Sequence, residues 1–142
     1  MRKRDRVCFI VLLLLVILLT PSYAQGALQS LNNSRSVLPT AQEIESTNAQ
    51  LPILVSEGTM WIKLEYDSNT KTERFYYRFT DDVDPDLITS SRIKQVKEVM
   101  KGVLRQNANS MARINAGMTY LYIYSSKDNR KLYEIRINKG DF

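Results

Sequence analysis

Beyond residue 50 the chain alternates between two hydrophobic rhythms. Ile62, Leu64 and Tyr66 alternate with Trp61, Lys63 and Glu65. After the polar break at residues 67–70 the alternation resumes, with Phe75, Tyr77 and Phe79 opposite Arg74, Tyr76 and Arg78. A period of two on both sides of a turn signal predicts a β-hairpin. A second hairpin is predicted near the end, where Leu121 and Ile123 interleave with Tyr120, Tyr122 and Tyr124, and Tyr133, Ile135 and Ile137 interleave with Glu134 and Arg136. Between the hairpins, Ile93, Val96, Met100, Val103, Leu104, Met111, Ile114 and Met118 fall on one stripe at helical spacing. This predicts one long amphipathic helix, or two with a break around residues 107–110. The helical region has two candidate starts: Asp84 before Pro85, or Ser90 and Ser91.

The resulting order, β-β-α-β-β, predicts an α+β domain: a small antiparallel sheet with the amphipathic helix packed on one face, because each hairpin and the helix has one apolar side to bury. With Leu121 and Ile123 inward, the opposite face carries Trp61, Lys63, Tyr76, Arg78, Tyr120, Tyr122, Tyr124, Glu134 and Arg136. Tyr and Arg supply large contact area and are enriched at interfaces, so Trp61, Tyr76, Arg78, Tyr120, Tyr122, Tyr124 and Arg136 are the candidate partner-binding residues. Ordinary β-propensity accounts for the tyrosines equally well.

The amino end follows another pattern. Arg2, Lys3, Arg4 and Arg6 precede an unbroken apolar run from Val7 to Leu19, and Pro21, Ser22 and Ala24 follow it. That is the order of a secretory signal with a small-residue cleavage site, so residues 1–24 are read as a signal peptide. The run is shorter than the roughly 20 residues an α-helix needs to span hydrocarbon. An uncleaved anchor would leave the rest of the chain outside the cytoplasm as well. Residues 25–50, rich in Ser, Asn, Gln and Ala, read as a flexible tether. Thr40 and Glu43 within it have the spacing of a capping box, which allows a short helix. The α+β domain is assigned to residues 51–142.

This division changes the charge. The whole chain carries +5, but residues beyond 24 hold 16 basic and 14 acidic side chains, a net +2. Basicity therefore belongs largely to the targeting segment and does not argue for nucleic acid. The lone cysteine, Cys8, also lies in that segment, so the exported part has neither Cys nor His. Thiolate and imidazole nucleophiles, thiolate zinc sites and His-based proton transfer are thereby excluded. The acidic run Asp81, Asp82, Asp84, Asp86 has Leu87 and Ile93 where a calcium loop starting at Asp82 needs Gly and Glu, and reads as a helix entry. Lys94, Lys97, Lys101 and Arg105 make a basic ridge beside the apolar stripe, interrupted by Glu98.

Residues 57–67, followed by a second strand and by Val83, Asp84, Pro85, Asp86 and Leu87 leading into Ile93, Val96 and Lys97, resemble the C-terminal domain of TonB-type periplasmic proteins. The resemblance spans Gly58 to Phe142, without a Trp-x-Pro after the helix or a Pro-rich spacer before the domain. It implies a periplasmic module that docks a receptor segment by strand addition at a sheet edge. The residues and the resemblance together lead to an exported, non-enzymatic protein- or peptide-binding module of the periplasm or cell envelope. No cofactor, metal or nucleic acid is expected, and membrane contact only through an uncleaved signal. A small secreted inhibitor or immunity-type protein, and a carboxylate-based hydrolase of envelope glycans, are the alternatives.

Overall fold

The computed structural model describes residues 37–142. The expected signal peptide and the first part of the expected tether lie outside the described residues. Helix α1 (Ala41–Asn48) precedes strands β1 (Ile53–Ser56), β2 (Thr59–Asp67) and β3 (Thr72–Phe79). A 3-10 turn (Pro85–Leu87), helices α2 (Ser90–Gln106) and α3 (Ala108–Asn115) and strands β4 (Thr119–Ser125) and β5 (Lys131–Ile137) follow. The five strands form one sheet in chain order. Three of the four pairings are antiparallel, and β3 with β4 is parallel because the helical segment carries the chain back before β4 begins. The α+β class, the mostly antiparallel sheet and the helical layer thus agree with the hydrophobic pattern; the short β1 and the parallel central pair are additional.

Local chemistry sets the element ends. The Thr40 hydroxyl accepts from the Glu43 N–H, while the Glu43 carboxylate accepts from the Thr40 N–H at 2.7 Å, closing the capping box. Both helix starts read from the sequence are used: Asp84 caps the 3-10 turn, and Thr89 caps α2 just ahead of Ser90. The helix break falls at Asn107, which ends α2 in an extended conformation and accepts from the Ser110 N–H to begin α3. Gly117, at φ +91°, ends α3 as the Met118 N–H reaches back to the Arg113 carbonyl and the Gly117 N–H to that of Ile114.

The strand register sorts side chains into rows. Trp61, Tyr77, Tyr124 and Tyr133 are opposite one another across β2 to β5, as are Leu64, Phe75, Tyr122 and Ile135, and Tyr66, Glu73, Tyr120 and Ile137. These rows face the helices. Tyr77 stacks on Tyr124 at 5.1 Å and Tyr124 on Tyr133 at 4.7 Å, and Val96, Met100, Leu104, Ile114 and Met118 complete the core above them. Ile44 of α1 packs on Val55, Trp61 and Leu64 at the other end of the same face.

One face assignment is therefore corrected. Tyr120, Tyr122 and Tyr124 point into the core, 4%, 9% and 3% exposed, while Leu121 and Ile123 occupy the opposite face. Alternation defines two sets of side chains without saying which is buried. The parallel pairing places the three tyrosines beside Glu73, Phe75 and Tyr77, where stacked rings bury more apolar area than Leu and Ile would. Trp61 is also core, 5% exposed, because a bulge between Trp61 and Lys63 shifts the alternation of β2 and puts Trp61 on the same side as Leu64.

Candidate interaction surface

All three helices lie on one side of the sheet, and among the described residues no element covers the other. That open face is built from three registered rows: Met60, Arg78, Ser125 and Lys131; Lys63, Tyr76, Ile123 and Glu134; and Glu65, Arg74, Leu121 and Arg136. Of the candidate partner-binding residues, Tyr76, Arg78 and Arg136 are brought together here, whereas Trp61, Tyr120, Tyr122 and Tyr124 belong to the core. Arg74, Leu121 and Ile123 join the face, and only the register reveals them.

Polar groups on this face are largely tied to one another. Glu65 accepts from Lys63 at 2.5 Å and from the Tyr76 hydroxyl at 2.6 Å. Those two hydrogen bonds hold its carboxyl below the usual range, and partial burial together with the Glu65 contact pushes the Tyr76 phenol up to about 12. Lys63 also lies 5.9 Å from the Tyr76 ring centre. Arg74 pairs with Asp67 at 3.6 Å, and Lys131 with Glu134 at 2.5 Å. Two cations differ. Arg78 donates only to the neutral Asn129 amide, at 3.3 Å, and exposed Arg136 has no hydrogen-bond or ion-pair partner among the described residues.

Leu121 is 6% exposed although no element lies over it. Its register neighbours are Arg74 and Arg136. The face thus combines Tyr76 and Ile123 with charged side chains in each row.

A second polar group lies under the helices. Arg113 of α3 stands 3.8 Å from Glu73 of β3 and 4.0 Å from Glu43 of α1, all three buried. Two carboxylates share one guanidinium, and Glu43 Oε1 has no hydrogen-bond partner among the described residues. Desolvation raises the Glu73 carboxyl to about 7, with Glu43 adding to the rise and Arg113 opposing it. Closed from solvent, this cluster ties α1, α3 and β3 together.

Other sequence candidates are consumed internally. Lys97 pairs with Asp141 at 2.7 Å, Lys101 with Glu98 at 3.0 Å, and Arg105 sits 5.1 Å from the centre of the Phe142 ring, so most of the basic ridge serves to fasten the carboxyl end and α2. In the acidic run, Asp84 caps a turn and Asp82 binds Lys127 at 2.8 Å. Among the described residues no group of three or more His, Cys, Asp or Glu is arranged to hold a metal ion, and no helix is long and apolar enough to cross a membrane.

Comparison with known proteins follows from this geometry. No curated protein matches the chain in sequence. Among solved structures, it is similar to the pilotin EpsS of the Vibrio vulnificus type 2 secretion system, at 11% identity and a TM-score of 0.51 over 70% of this chain and 84% of that one. It is likewise similar to the type II secretion system pilotin AspS of Vibrio cholerae, at 10% identity and a TM-score of 0.50 over 71% and 86%. At these identities the likeness is one of fold. These findings overturn the resemblance to TonB-type C-terminal domains: its strongest local match, residues 83–87, is a turn in which Asp84 caps Pro85–Leu87, a helix-entry chemistry that recurs in unrelated folds. A family model does match residues 39–133, and the chain belongs to that family, described as Domain of unknown function (DUF8479).

Proposed function

We propose that this protein is an exported, non-enzymatic protein-binding module of the cell envelope. The observation that carries this reading is the open sheet face, where Tyr76 and Ile123 lie between Arg78 and Arg136 while each described helix packs on the other side. A helix-free sheet face with aromatic, aliphatic and Arg side chains in fixed register has the composition of a recognition surface. The signal-like residues 1–24 and the fold shared with two type II secretion pilotins support an envelope setting. Without His or Cys beyond residue 24, the domain has little equipment for nucleophilic or proton-transfer catalysis.

A photo-crosslinking residue placed at Ile123, at Tyr76 or, as a control, at exposed Gln106 on α2 tests the reading in cells of the source organism. The expected result is a discrete protein adduct from the two sheet positions, lost when Arg136 is changed to Glu, and none from residue 106. Equal labelling at all three positions, or no adduct from the sheet, overturns it.

A further inference from the structure

The charges of the open face say what chemistry its occupant carries. Lys63, Arg74 and Lys131 are neutralised by Glu65, Asp67 and Glu134 respectively, leaving Arg78 and Arg136 as cations without an anionic partner among the described residues. They sit at opposite corners. Arg78 is level with Ser125 on β3, and Arg136 is level with Leu121 on β5, so they are two strand spacings and four residues apart, with Tyr76 and Ile123 between. At about 4.8 Å per strand and about 3.3 Å per residue, their Cα atoms lie roughly 16 Å apart along the diagonal. An unpaired guanidinium is weakly hydrated and geometrically suited to a carboxylate, which it binds through two parallel N–H donors.

We propose that the occupant is an acidic segment of a partner protein, with two carboxylates four or six residues apart, an even spacing that puts both on one side of an extended chain, one on Arg78 and one on Arg136, and an apolar side chain between them on Tyr76 and Ile123. This rests on the reading of the open face as a protein-binding surface. The alternation of sign along the face favours discrete side chains over a continuous anionic surface. Glu134 lies in the row between the two arginines and Glu65 in the row of Arg136, so acids are interspersed with the basic groups, a pattern less suited to the uniform phosphates of a lipid bilayer or a nucleic acid than to separated carboxylates.

The test is selection of a random twelve-residue peptide library on the purified exported chain, on Arg78→Glu/Arg136→Glu and on Ile123→Asp, each checked for an unchanged melting curve. Arg136→Glu alone, at an exposed position without a partner, serves if the double variant folds poorly. Expected from the wild-type chain are peptides with two Asp or Glu four or six residues apart around an aliphatic or aromatic residue. These should bind roughly tenfold or more weakly to Arg136→Ala, and the charge-reversed chain should select Lys or Arg at the same spacing. Selected peptides without paired acids, an identical set on the charge-reversed chain, or binding only to vesicles of anionic phospholipid overturns the acidic partner. If Ile123→Asp still abolishes selection in the first two cases, the protein-binding reading survives; if Ile123→Asp leaves selection unchanged, that reading falls as well.

Discussion

The side-chain amide of Asn48 grips the main chain of Leu64 from both sides, donating to its carbonyl at 2.7 Å and accepting from its N–H at 2.8 Å. Strand β1 pairs with β2 only as far as Trp61, so beyond that point the outer edge of β2 has no strand neighbour. Asn48, at the end of α1, takes the place of one and seals the edge.

Asn48→Ala should therefore destabilise the domain by about 1–3 kcal/mol, because two main-chain groups lose their partner together. Asn48→Asp can accept from the N–H but faces the carbonyl with a second acceptor, and should not restore the loss. Chemical denaturation measures the change, and hydrogen exchange at the Leu64 amide should rise selectively in both variants. Unchanged exchange there would show that the edge is protected by something else.

Stability should fall as the pH rises from about 5 to 8. Glu73 has a folded-state affinity for protons raised from 4.5 to about 7, so in that window the native state binds more protons than the unfolded chain, and unfolding becomes easier with each step upward. The loss is on the order of 3 kcal/mol and levels off above about pH 7. Glu73→Gln keeps the shape without the titration. Its profile should be flatter, with the variant more stable than wild type at pH 8 and close to it at pH 5. Parallel profiles for the two proteins would remove Glu73 as the cause. Asp141, held low with help from a hydrogen bond to Lys97 although burial opposes it, and Glu65, held low by Lys63, act in the opposite sense. Their contributions are present above the ordinary carboxylate range and are lost only at more acidic pH.

The face assignment of β4 has a direct consequence. Tyr124→Ala empties a ring stacked between Tyr77 and Tyr133 and should cost about 3–5 kcal/mol. Arg136→Ala, at an exposed position, should stay within about 0.5 kcal/mol. Thermal unfolding of the two variants side by side decides; a reversed ranking would mean that the tyrosines face outward after all.

Tyr133→Phe should be neutral or stabilising. The Tyr133 hydroxyl is buried with no hydrogen-bond partner among the described residues, and an unpaired buried hydroxyl is penalised by its lost hydration. A melting temperature lowered by several degrees would show that the hydroxyl is bound after all, by a buried water.

Gly117→Ala should cost about 1–2 kcal/mol through the backbone alone, since φ +91° is poorly tolerated by an L-residue while the nearest atom to an added Cβ, on Lys71, is 4.0 Å away. Differential scanning calorimetry reads the loss. An enlargement of this site beyond Ala should add little, because the space is open.

Local patterns carried much of this fold. The turn after Asp67, the capping box at Thr40, the break at Asn107 and the apolar stripe through Val96, Met100 and Leu104 are each written in residues close in the chain, and each is found in the structure. Of the candidate residues, Tyr76, Arg78 and Arg136 share the open face as read, while Trp61 and three tyrosines do not. Trp61 was turned inward by the bulge in β2, and the tyrosines have another origin. A strand of alternating aliphatic and aromatic residues, such as Tyr120 to Tyr124, has two apolar sides, and its own sequence offers no preference between them.

What the sequence by itself determined is the set of local elements and their α+β class, because hydrophobic period, caps and turn residues act over a few positions. What only the tertiary structure decided is which side of each strand is buried. That depended on a bulge in β2 and on β4 pairing in parallel with β3, contacts between residues 47 positions apart, as in Phe75 opposite Tyr122. Once the tyrosines stacked beneath the helices, Ile123 and Arg136 were left on the outside, and the candidate surface followed from what the core did not take.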